Sequence, residues 1–171
     1  MSKRKMKYVL LYVNLFIALI LQTTLICRLS FFGVVPSLIL VAVICFALVN
    51  DYVDSAVFAG VAGLLMDIAG GRIIGFNSLL MLYLSLGMVY VGQEFFRENI
   101  KAAVILVAAG TLVYEMVYFI FTFAIFGGSH FFYMMWRVVM VECLYNALLA
   151  IPVYLYVDKF FKIRGGRSLL D

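Results

Sequence analysis

Three carboxylates lie inside long apolar runs of this chain: Asp67, Glu115 and Glu142. An ionisable group in such surroundings is costly and usually has a function. Glu115 recurs with Thr111, Tyr118 and Thr122 at steps of four, three and four, the spacing of one helix face. Glu142 shares a face with Tyr145, Asn146 and Tyr156. The two glutamates lie at similar distances from the turn Gly127, Gly128, Ser129, His130 that separates their runs. Adjacent antiparallel helices would therefore bring them together, with Arg137 within reach. Two carboxyls that close, without a cation, cannot both ionise, and one holds a proton. Such a pair either forms a polar interior that binds something or relays protons, or belongs to an internal hydrogen-bond and ion-pair network. The network is the favoured reading, since interhelical bonds in lipid are weak, averaging roughly 0.6 kcal/mol, yet fix geometry.

Asp67 closes a stripe of small residues. Within GVAGLLMDIAGGRIIGFN, residues 60–77, Gly60, Gly63, Asp67 and Gly70 or Gly71 recur on one helix face, and Gly75 punctuates the connection that follows. Glycines on a face let another helix approach closely, and van der Waals packing drives helix association in lipid. The stripe is expected to serve helix packing or a partner interface. Asp67 on the same face would point into the protein. It is either a polar anchor or ligand contact at that interface, or a structural carboxylate paired with Arg72 or Arg137.

Enzyme chemistry finds little support. No G-x-S-x-G, H-E-x-x-H or Walker lysine occurs. An intramembrane aspartyl enzyme needs two paired aspartates, and only Asp67 falls inside an apolar run. Cys27, Cys45 and Cys143 are scattered and read as small packing residues, and His130 is the only histidine. No enzyme activity, metal or cofactor is expected.

These groups need an apolar framework. The 171 residues are 67% hydrophobic and 13% charged, against roughly 45–50% and 25% in soluble domains. A soluble fold of this length could not hide so much apolar surface. We expect an all-α polytopic membrane protein, a single integral domain over residues 1–171 with six transmembrane helices. The apolar runs extend from about Tyr8 to Ile26, Pro36 to Val49, Ser55 to Ala69, Phe76 to Gly92, Ala102 to Phe126 and Met134 to Val157. Pro36 suits a first helical turn. The second run is short, which suits little tilt or partial lipid exposure. Pro152 would kink the last helix.

Asn14 and Gln22 in the first run could each bond across helices, though from different faces. Phe131, Phe132, Tyr133 and Trp136 suit an interfacial aromatic belt. With both termini cytoplasmic, one side holds Lys3, Arg4, Lys5, Lys7, Arg97, Lys101, Lys159, Lys162, Arg164 and Arg167. The N-terminal stretch reads as a retained span rather than a cleaved signal. The net charge of +4 thus reflects basic helix ends facing anionic lipid, not a nucleic-acid surface.

The order of features resembles the MreD family of bacterial rod shape-determining membrane proteins. The resemblance rests on Pro36 before the second run, on GVAGLLMDIAGGRIIGFNSLLMLYLSLG from Gly60 to Gly87, and more weakly on Asn146 followed by Pro152. Many family members carry an acidic residue after Pro36, where this chain has Ser37. The resemblance implies a non-enzymatic scaffold of the cell-elongation machinery in the bacterial cytoplasmic (inner) membrane. Its implied partner is an MreC-like single-span (bitopic) protein, with RodA, a penicillin-binding transpeptidase and MreB reached indirectly, in support of peptidoglycan synthesis. It also implies an architecture similar to the substrate-binding components of energy-coupling-factor vitamin transporters. Two alternatives stand beside the scaffold. One is a transporter subunit holding a small ligand among Asp67, Glu115, Glu142 and Asn146. The other is a proton-linked enzyme or channel.

Overall fold

The computed structural model describes residues 3–24, 34–70, 73–95, 100–126 and 131–161. They form α1 (Lys3–Thr24), α2 (Leu38–Val49), α3 (Tyr52–Gly70), α4 (Phe76–Phe95), α5 (Ile100–Phe126) and α6 (Phe131–Phe161). Each apolar run has become one helix. The expected boundaries move in a consistent way. α3 starts at Tyr52 rather than Ser55, and α6 covers Phe131–Phe161 rather than 134–157. Hydropathy marks the apolar length, whereas backbone bonding continues into the polar ends. α6 stays a single helix through Pro152.

α2 departs the other way. It begins at Leu38, so Pro36 is not its first turn. Ser37 is the N-cap instead, its side chain accepting the Leu40 N–H. Serine is among the best residues for that position because its oxygen reaches the orphan donors of the first turn. Every residue from Ile39 to Val49 except Ala42 is buried. A helix apolar all round belongs in a core, and α2 touches all five other helices. Its 12 residues span only about 18 Å, short of a hydrocarbon thickness of about 30 Å. Around it, α3–α4 and α5–α6 are the closest pairs. Phe46 of α2 and Phe58 of α3 hold ring centroids 4.5 Å apart.

The outer surface is apolar. Ile68, Tyr83, Ile105, Leu144 and Leu148 are all exposed. Three helices are long and apolar enough to cross a membrane: Tyr52–Gly70, Ile100–Ala124 and Val138–Phe160. Shorter apolar stretches cover Leu11–Gln22, Leu38–Val49 and Phe76–Gly92.

Candidate functional site

The buried polar residues gather around the starts of two helices. A helix begins with four N–H groups that have no partner within it. At the start of α2, the Ser37 N–H donates to Asn146 Oδ1 at 3.0 Å, and the Leu38 N–H donates to Gln22 Oε1 at 2.7 Å. The Leu40 N–H donates to Ser37 Oγ at 3.4 Å. Gln22 Nε2 returns a bond to the Pro36 carbonyl at 3.1 Å. Asn146 is fully buried and also donates to Thr111 Oγ1 at 3.3 Å. Side chains from α1 and α6, one of them braced by α5, thus complete a helix that starts inside the bundle. Ser37 occupies the position where the family resemblance leads one to expect an acid. Serine and aspartate cap helices about equally well, so the same cap survives the difference.

The start of α4 is completed by Asp67. This buried carboxylate sits in the last turn of α3. Its Oδ2 accepts the N–H of Gly75 at 2.8 Å and of Ser78 at 3.3 Å, and its Oδ1 accepts the N–H of Asn77 at 3.2 Å. A negative charge at this end also complements the α4 dipole. The geometry requires the chain to double back tightly after α3. Gly75 does so with a φ of +92°, in the region glycine adopts readily. Ser78 Oγ donates to the Gly60 carbonyl at 2.8 Å, and Tyr114 OH donates to Asn77 Oδ1 at 2.7 Å. Gly63 is where α4 comes closest to α3: a Cβ there would lie 2.4 Å from Ser78 Cα.

A cavity of about 320 Å³ lies between the two helix starts. Its polar lining includes Gln22, Ser37, Asn77, Tyr114, Glu115 and Glu142. Glu115 and Glu142 are buried together on the cavity wall, close enough for their carboxyls to interact, with Asn146 near Glu142. A bond between two carboxyls needs a proton on one of them, because ionised carboxylates only accept. Tyr118 lines the same space, stacked on Tyr114 with ring centroids 6.2 Å apart and set 5.8 Å from Phe76. The arrangement can order water or a small polar molecule.

The sequence-derived residues fall into distinct places. Gly60, Gly63 and Asp67 meet α4, so this face of the stripe is used inside the bundle. Gly70 is exposed at the end of α3, and a Cβ there would meet nothing within 4 Å. Gly71 and Arg72 lie outside the described residues, as does the side chain of Arg137. The described partners of Asp67 are backbone N–H groups. Glu115, Glu142 and Tyr118 line the cavity and Asn146 stands at the start of α2, while Tyr145 is half-buried and does not line the cavity. Asn14 and Gln22 both bond across helices, Asn14 by accepting from Tyr156 OH at 2.9 Å. Trp136 is exposed, and the side chains of Phe131, Phe132 and Tyr133 lie outside the described residues. Sequence reasoning missed Asn77 and Tyr114. Tyr114 was detectable, since Thr111, Tyr114 and Tyr118 also follow a helical step. Asn77 carried no signal beyond its place just after Gly75.

Comparison with known proteins decides the family. Residues 2–164 match the family of the rod shape-determining protein MreD. The chain belongs to the MreD family. The family match covers both helix starts and the cavity between them. No curated protein and no solved structure matches the chain. MreD membership makes it a bacterial membrane protein with a part in determining rod shape.

Proposed function

We propose that this MreD-family chain is a non-enzymatic scaffold, a single domain crossing the bacterial cytoplasmic membrane six times with both ends inside. It docks an MreC-like bitopic protein within the bilayer. Through that partner it supports RodA, a penicillin-binding transpeptidase, MreB and peptidoglycan synthesis. The observation that carries this reading is the use made of the interior polar groups. Gln22, Ser37, Asp67 and Asn146 complete helix starts, and the outer faces are apolar. A bundle built that way offers surfaces rather than reactive groups. Ten of the thirteen Lys and Arg residues fall in the segments so placed inside, which favours the inside placement of both termini. Because Gly63 is occupied by α4, the partner meets an outward face instead of the glycine stripe.

Co-expression with the MreC-like protein of the same genome tests the proposal. A complex that survives detergent extraction is expected. A monodisperse chain that never retains the partner would overturn it. Reporter fusions at the two ends, both reading inside, check the topology. A small-ligand subunit is the second reading, favoured by the polar cavity of about 320 Å³. A tightly held small molecule released on denaturation would support that reading over the scaffold.

A further inference from the structure

A second cavity, of about 390 Å³, opens between α1 and α6 with α2 as its floor. Leu38, Ala42 and Phe46 of α2 line it, with Leu15 and Ala18 on one wall and Val153 on the other. Leu38 and Ala42 are the two residues of α2 that are not buried, so this groove is where the central helix is reached from outside. α1 packs on α2 and α3, and it meets α6 through the bond from Tyr156 OH to Asn14. The lining of α1 runs from Leu11 to Leu21, about 15 Å of helix, or half a hydrocarbon thickness. The groove is therefore one leaflet deep.

The hydrogen bonds fix how α1 and α6 run past each other, and so which charged groups lie beyond the Leu11 end of the groove. Gln22 and Asn146 meet at the start of α2, while Asn14 and Tyr156 meet each other. α1 and α6 thus run antiparallel. The first two turns of α1, which carry Lys3, Arg4, Lys5 and Lys7 and no acid, lie at the same end as exposed Lys159 of α6. Asp51, Asp54 and Asp158 share that end, on or beside α3 and on α6. The basic excess therefore lies on the α1 side of the groove.

We propose that this groove holds one acyl chain of an anionic phospholipid, with its phosphate on the basic first turns of α1. Acyl chains are the solvent here, so an apolar groove open to lipid fills; an empty one would forfeit dispersion contacts along its walls. What the protein selects is the headgroup. Basic groups at a membrane surface attract anionic lipid. Assignment to the inner leaflet rests on the orientation proposed above, whereas the pairing of groove and basic end rests on the bonds alone.

The test uses the full chain, equilibrated with mixed phosphatidylglycerol and phosphatidylcholine vesicles, washed in detergent and weighed by native mass spectrometry. One phosphatidylglycerol per chain is expected to remain. Ala18→Phe fills the groove from its half-buried wall and should abolish retention. Ala109→Phe, on an exposed position of α5, should leave it unchanged and so controls for added bulk. Replacing Lys3, Arg4, Lys5 and Lys7 by Gln should lower the preference for phosphatidylglycerol by roughly fivefold per residue removed. Equal retention of both lipids by the parent chain, or unchanged retention in a folded Ala18→Phe variant, would overturn the proposal. So would loss of the lipid whenever the MreC-like protein binds, combined with loss of that complex in Ala18→Phe, since the groove would then belong to a protein helix. Co-purification of that partner with lipid retention unaffected separates this test from that of the scaffold.

Discussion

Replacing Gly63 by alanine should destabilise the bundle far more than one methyl group suggests. The added Cβ would lie 2.4 Å from Ser78 Cα, 2.6 Å from Ser78 N and 2.7 Å from the Asn77 carbonyl oxygen. Carbon atoms prefer separations of about 3.5–4.0 Å, so the start of α4 must retreat by about 1 Å or more. The obstacle is backbone, which cannot swing aside as a side chain can. Retreat also pulls Gly75, Asn77 and Ser78 away from Asp67, whose bonds are already 2.8–3.3 Å long. Overpacking costs about 1–3 kcal/mol, and each buried N–H left unpaired costs about 1–3 kcal/mol more. Against this stands a gain of at most about 1 kcal/mol from replacing a helical glycine. A net loss of about 3–5 kcal/mol follows if one or two of the bonds fail. Gly60→Ala is the internal control. Its Cβ would meet only Leu82 Cδ1, at 3.9 Å, and should be neutral or slightly stabilising. Thermal unfolding in one detergent, read as the fraction surviving size exclusion after heating, compares the two. Equal melting of the Gly63→Ala and Gly60→Ala proteins would refute the close approach of α3 and α4.

Substitutions at Asp67, Asn146, Gln22 and Glu115 probe the helix starts and the carboxyl pair. Asp67→Ala should cost about 2–5 kcal/mol of stability in the same assay, because three N–H groups lose their acceptor, while Asp67→Asn, which keeps one oxygen, should fall between it and the parent; equal melting of all three would count against the cap. Asn146→Leu removes the acceptor of the Ser37 N–H and the donor to Thr111, and should lower stability by about 2–4 kcal/mol. Its effect should be non-additive with Gln22→Leu, since both serve the start of α2; strict additivity in a double-mutant cycle would place them in separate environments. Glu115→Ala should lower thermal stability in detergent, whereas Glu115→Gln, able to donate to Glu142 without a shared proton, should stay close to the parent. Unchanged melting of Glu115→Ala would remove the carboxyl pair from the bundle's support.

The six helices were legible because each is an uninterrupted apolar run, whether it faces outward or, like α2, fills the core. The facing of Glu115 and Glu142 was legible because helical period and distance from a common turn fix both face and height. The start of α2 was not. Pro36 offers a favourable first-turn residue, but the helix waits two positions for Ser37, whose side chain can reach a backbone donor and whose own N–H finds Asn146. That choice depends on a residue 109 positions away, which no local pattern contains. The partners of Asp67 were equally hidden. A sequence displays side chains, and a search for the mate of a carboxylate turns naturally to Arg72 and Arg137. Among the described residues the carboxylate is answered by backbone N–H groups, which every residue but proline carries and which no residue type announces.

The places of the buried polar residues follow from where helices begin and end. A 12-residue helix such as α2 cannot reach both faces of a bilayer, and its start is buried within the bundle. The protein must then bring acceptors from other helices to that level. Gln22, Asn146 and Ser37 do so at the start of α2, Asn50 answers its far end by donating to the Phe46 carbonyl, and Asp67 serves α4. Thr111 and Tyr114 brace Asn146 and Asn77 in turn. The buried hydroxyls of Ser55 and Ser85 lie outside this scheme. The same requirement explains why the cavity is polar. Two helix starts at similar depth, each ringed by acceptors, leave between them a space that an apolar side chain would fill only by displacing a cap. A cavity in this position is thus a consequence of burying a short helix, and the carboxyl pair on its wall ties α5 to α6 at the level where α2 begins.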